Sequence, residues 1–90
     1  MRLISQDGTI DVPYDNTIIY RNDEYIICVF GCTDKERVLA RYSTDEKAKK
    51  AMEMLRNEYM QYATAKSEDY WFAFDYPKVF QFPADEDVEV

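Results

Sequence analysis

Short strands set between turn signals, one amphipathic helix and a second extended stretch together predict an α+β domain. Its expected form is an antiparallel β-meander of about five short strands packed on one α-helix, with a further C-terminal strand or hairpin. Three observations carry this. Residues 1–42 alternate β-branched or aromatic runs with polar turn residues, at spacings too short for crossovers. The next twenty residues change to a helical repeat of apolar side chains, and residues 70–82 return to alternation. The chain of 90 residues suffices for one domain, expected over 1–83, followed by an acidic tail at 84–90.

The first hairpin joins Arg2–Ser5 to Thr9–Val12 through Gln6-Asp7-Gly8, where glycine supplies the positive φ of a tight turn. Pro13 ends the second strand because it has no N–H to donate. Asp15-Asn16 marks another turn. Thr17–Arg21 and Tyr25–Phe30 are rich in residues suited to a pleated surface, and Asn22-Asp23-Glu24 separates them. After Gly31–Glu36, the fifth strand is Arg37–Tyr42. Val38, Ala40 and Tyr42 are expected on one face of it, and Arg37, Leu39 and Arg41 on the other.

Ser43 is the expected helix N-cap, with Glu46 three residues on to complete a capping box. Ala48, Met52, Leu55, Tyr59 and Tyr62, widened by Ala51 and Met54, form an apolar stripe. Glu46 and Lys50 are spaced to pair on the wet face. The helix is expected to end near Ala63–Lys66, before Ser67-Glu68-Asp69. Tyr70, Phe72, Phe74 and Tyr76 then alternate with Trp71, Ala73 and Asp75 as a further strand. Pro77 interrupts it, and Lys78–Phe82 is extended again until Pro83 stops pairing. Ala84–Val90 holds four acids in seven residues and reads as a frayed, solvated tail.

The net charge is −7, and residues 67–90 hold seven acids against one base beside seven of the fourteen aromatics. A pI near 4.4 argues against broad nucleic-acid affinity, which needs clustered Lys and Arg, and favours a protein partner with a basic surface. Charge beside amphipathic aromatics defines the candidate partner-binding residues. They are Trp71, Asp75 and Tyr76 on the aromatic strand, Asp69 before it, and Asp85, Glu86, Asp87 and Glu89 in the tail. Tyr14, beside Pro13 in a turn, is a further aromatic candidate. The competing reading places most aromatics in the core, where each buries a large apolar area.

Without histidine, a Ser–His or Cys–His nucleophile is excluded. Two glycines leave no phosphate-cradling loop. Cys28 and Cys32 are too few for a zinc site and read as reduced packing residues. Asp11, Asp15 and Asp23 read as solvated turn formers. No catalysis, cofactor or metal is therefore expected. With no apolar run of membrane-spanning length and a polar opening after two apolar residues, neither membrane segment nor secretory signal is expected, and the protein reads as cytoplasmic. Two other readings stand beside the protein-binding one. The first is a nucleotide or small-molecule sponge using Arg2, Arg21, Arg37 and Arg41. The second is a homo-oligomeric structural protein, such as a homodimer, joined at an unpaired sheet edge.

The opening MRLISQDGTIDVPY (Met1–Tyr14), the helical YSTDEKAKKAMEMLRNEY (Tyr42–Tyr59) and the ending VFQFPADEDVEV (Val79–Val90) resemble small uncharacterised proteins of Firmicutes and of their phages and mobile elements. The resemblance covers roughly half the chain and carries no activity or catalytic residue with it. It implies a bacterial host cell and a mobile-element setting. In that setting small acidic histidine-free proteins often act by binding, including as inhibitors of host defence systems.

Overall fold

A computed structural model describes residues 1–30, 35–68 and 79–90. Its first element is the expected hairpin, Arg2–Ile4 (β1) paired antiparallel with Asp11–Pro13 (β2), Leu3 opposite Val12. Beyond the strands the Ser5 and Thr9 side chains serve the turn. The Asp7 carboxylate accepts from the Ser5 hydroxyl at 2.7 Å and from the Thr9 amide and hydroxyl at 3.0 and 2.7 Å. Gly8, at φ 80°, closes the turn by donating its N–H to the Ser5 carbonyl.

Pro13 does end β2. A single 3₁₀ turn, Tyr14–Asn16, then carries the chain into a second sheet. Thr17–Asn22 (β3), Tyr25–Phe30 (β4) and Glu36–Arg41 (β5) pair antiparallel in that order. Asp23 turns between β3 and β4 at φ 54°, a conformation its short polar side chain tolerates. The α+β class is as expected, but the five N-terminal strands are divided between two sheets. The first gains its third strand from the far end of the chain. Val79–Gln81 (β6) lies parallel to β1, with Phe80 beside Leu3.

β5 departs from the predicted alternation. Ile26 pairs with Ala40 and Ile27 with Val38, so Leu39 is an extra residue, a β-bulge. Leu39 and Ala40 are therefore both buried, Val38 is half exposed, and Tyr42 beyond them is buried. The bulge also joins the sheets. The Leu39 carbonyl accepts from the Gln6 N–H at 2.8 Å, and the Gln6 side-chain oxygen accepts from the Arg41 N–H at 3.1 Å.

The helix, Asp45–Glu68 (α1), lies on β3 and β4. Ala48, Ala51 and Leu55 are fully buried, and Met52 and Met54 pack against them as the stripe predicted. The N-cap is Thr44, not Ser43: its hydroxyl accepts from the Lys47 N–H at 3.1 Å. Lys50 lies 4.0 Å from Glu53, its neighbour one turn on.

Ser43 instead donates its N–H to Asp85 at 2.7 Å, and this contact corrects the reading of the tail. Residues 84–90 are acidic but docked. Lys47 Nζ reaches the Asp85 carbonyl at 3.0 Å and its carboxylate at 3.3 Å, and a 3₁₀ turn at Asp85–Asp87 brings Val88 into the core at 2 % exposure. Pro83 is held by the Tyr42 hydroxyl at 2.8 Å and the Gln6 amide at 3.2 Å, both donating to its carbonyl. Composition suggested solvation. One valine and one carboxylate placed at the helix start reverse it, because a carboxylate is favoured beside the exposed N–H groups there.

A pH dependence follows. Asp85 is held below its ordinary carboxyl range chiefly by the Ser43 N–H, and Asp7 falls from 3.8 to about 2 through the Ser5 and Thr9 hydrogen bonds. Groups depressed by folding stabilise fully above their unfolded value and lose that contribution as pH falls through the folded one. Urea midpoints are therefore expected to be level above about pH 5 and to fall between about pH 4 and 2. Asp7→Asn and Asp85→Asn should each flatten that fall.

Candidate functional site

Four of the sequence-predicted partner-binding residues, Asp69, Trp71, Asp75 and Tyr76, lie outside the described residues, as does the strand expected at 70–76. Of the tail acids, Glu86, Asp87 and Glu89 are exposed, whereas Asp85 is committed to Ser43 and Lys47 within the chain. Tyr14 stacks on Tyr59 of α1 at 4.3 Å between ring centroids and packs against the core. It thus ties the 3₁₀ turn to the helix, and burial raises its hydroxyl pKa, with Tyr59 adding to the effect. Tyr14 is only partly buried.

The described surface offers a different feature. β4 carries Ile26, Cys28 and Phe30 on the inner face that meets the helix and the first sheet, and Tyr25, Ile27 and Val29 on the outer face. Cross-strand pairing places Ile18 beside Val29, Tyr20 beside Ile27, and Val38 on the other side of Ile27. Ile18 is 67 % and Val38 50 % exposed. Ile27, at the centre, is 8 % exposed. Among the described residues no helix or strand covers this face.

Its rim is polar and internally paired. The Tyr20 hydroxyl donates to Glu36 at 2.5 Å, which raises the tyrosine pKa. Arg41 stacks over the Tyr25 ring at 5.5 Å from the centroid and lies 3.9 Å from Glu24. These contacts fix two tyrosines beside an aliphatic strip, the mixture of apolar area and polar tips that suits a protein contact. The sequence does carry a signal for it. Ile18-Ile19 and Ile26-Ile27 put apolar side chains on both faces of their strands, and a sheet with two apolar faces needs a cover on each.

The four strand arginines form no common anion site. Arg2 pairs with Asp11 at 2.8 Å, Arg21 donates to the Asp23 carbonyl at 2.9 Å, Arg41 is on the outer face, and Arg37 is opposite Cys28 on the inner one. Cys28 is a buried free thiol whose pKa is raised by burial, with Arg37 opposing the shift. Cys32 lies outside the described residues. Among the described residues no three His, Cys, Asp or Glu side chains come together in a metal-binding group, and no helix is long and apolar enough to cross a membrane.

Fold and surface together define a small acidic α+β domain with one sheet face that no described helix or strand covers. Compared with known proteins, the chain matches no family model, no curated protein and no solved structure.

Proposed function

We propose that this is a small, acidic, non-catalytic binding protein that docks on a partner protein through the outer face of β3-β4-β5. The observation that carries the reading is the exposure of Ile18 and Val38 on either side of Val29 and Ile27, framed by Tyr20 and Tyr25. Isolated exposed aliphatics are ordinary, but a row of them across three paired strands is a contact surface. The partner we infer has a basic margin. The chain carries −7 overall, and Asp23, Glu24 and Glu36 stand at the turn and strand start that border the face. Such charge speeds encounter and selects the partner, while the apolar strip supplies residence. In the mobile-element setting that the resemblance implies, the partner would be a host defence or nucleic-acid-binding protein, and binding would inhibit it.

The test pairs affinity purification from the bacterial host with a surface variant. The double variant Ile18→Lys/Val38→Lys should melt like the parent, because both side chains already face water. It should also lose the partner, weakening binding by roughly a hundredfold, about 3 kcal/mol, through a buried like charge. Salt should slow association of the parent. Recovery of the same partner by parent and variant would refute the docking face. A homodimer broken by the same two substitutions would make a second copy the partner.

A further inference from the structure

We propose that the cleft between β2 and the inner face of the second sheet binds a small organic carboxylate with an apolar body. The cleft encloses about 370 Å³, a volume typical of small-ligand sites. Ile10 and Val12 line it from the first sheet, and Cys28 and Phe30 from the second. Val12 and Cys28 are 8 % and 1 % exposed and close its floor, while Phe30, at 42 %, stands open as a wall.

The rim carries basic side chains. Lys35 and Arg37 both line the opening. The other strand arginines are occupied by Asp11, the Asp23 carbonyl, and Glu24 with Tyr25, whereas Arg37 has no hydrogen-bond or ion-pair partner among the described residues. Asp11 also borders the cleft, its carboxylate turned to Arg2 at 2.8 Å. In a chain of net charge −7, a guanidinium left over apolar walls is unusual and suits a planar, bidentate acceptor.

The edge of β2 adds one backbone donor. Ser5 donates its N–H to the Ile10 carbonyl, and Tyr14 to that of Met1. Antiparallel pairs alternate between bonded and non-bonded, so Asp11, opposite Ile4 at a non-bonded position, turns its N–H and C=O away from β1. Its neighbours on that edge have nothing to donate. The Thr9 N–H is taken by Asp7, and Pro13 has none, its carbonyl already accepting from the Thr17 hydroxyl.

This inventory selects the ligand. A peptide adding as a strand needs a row of free edge groups, and the edge of β2 presents those of one residue. Inorganic phosphate would satisfy Arg37 and leave the apolar walls wet. A compact aryl or branched aliphatic acid meets both requirements, with its carboxylate on Arg37 and the Asp11 N–H and its body between Phe30 and Val12. The site is on the opposite face of the sheet from the docking surface, so the two proposals stand or fall separately.

Phenylacetate titrated into the intact chain, followed by amide and arginine side-chain NMR, tests this directly. Saturable shifts are expected at Asp11, Val12, Phe30 and the Arg37 guanidinium. Binding should be weaker by roughly tenfold or more for the neutral isostere phenylacetamide, and likewise for phenylacetate on Arg37→Met. Arg37→Lys should retain an intermediate affinity. The isostere comparison needs no variant, so it decides the matter even if Arg37→Met misfolds. No saturable shift at millimolar phenylacetate, equal binding of acid and amide, or shifts produced only by an extended peptide would each overturn the proposal.

Discussion

Deletion of Ala84–Val90 is expected to lower stability by about 3 kcal/mol or more, although composition marks these residues as a dispensable acidic tail. Val88 is 2 % exposed within the core cluster, and truncation of a buried valine alone costs about 2 kcal/mol. The deletion also strips Asp85 from the Ser43 N–H and leaves Lys47, whose side chain is only 22 % exposed, without its carboxylate. A domain of this length has roughly 5–13 kcal/mol in total, so the loss is a large fraction of it. Urea denaturation followed by far-UV circular dichroism measures the effect, and Val88→Ala should reproduce about 2 kcal/mol of it. A midpoint shift no larger than that of a surface substitution would show the tail undocked. The expected result also bears on recognition. Loss of partner binding on deletion would report a damaged fold, so the contribution of Glu86, Asp87 and Glu89 must be read from charge-neutralising substitutions at those three positions.

What was legible in the sequence depended on how far apart the deciding residues lie. The Asp7-Gly8 turn, the stop at Pro13, the β3–β4 turn at Asp23 and the helical stripe through Ala48 and Leu55 each rest on contacts within a few residues, and local patterns report those. The parallel pairing of β6 with β1 does not. Leu3 and Phe80 lie at opposite ends of the chain, and nothing near either names the other. The bulge at Leu39 defeated the face assignment of β5 for a related reason. One inserted residue makes Leu39 and Ala40 both buried, and the bond that accompanies it, from the Gln6 N–H to the Leu39 carbonyl, comes from outside the second sheet. Thr44 takes the cap while the neighbouring Ser43 N–H is bound by Asp85, forty-two positions away. For the site, the charge count drew attention to the C-terminal acids and away from Ile18 and Val38, although apolar pairs on adjacent positions were visible in both strands.

The largest single-residue effect is expected at Leu3. It is fully buried at the centre of a row in which Val12 lies on one side and Phe80 on the other, so the buried row crosses all three strands of the first sheet at this residue. Leu3→Ala opens a cavity there, and both flanking side chains are held in register by the ladder and cannot move in to fill it. Such sites fall toward the upper part of the usual 2–5 kcal/mol range, and we expect about 4 kcal/mol. For a domain of this size that lowers the melting temperature by roughly 15–30 °C, enough to leave much of the protein unfolded at 37 °C if the parent is of ordinary stability. Leu3→Met, which conserves volume, should cost less than about 1.5 kcal/mol. Ile18→Ala, at a side chain 67 % exposed, should stay within about 0.5 kcal/mol. Thermal melts of the three variants put the order Leu3→Ala, Leu3→Met, Ile18→Ala to the test. If Ile18→Ala were as damaging as Leu3→Ala, the outer face of β3-β4-β5 would be covered within the folded chain and could not be the face that a partner occupies.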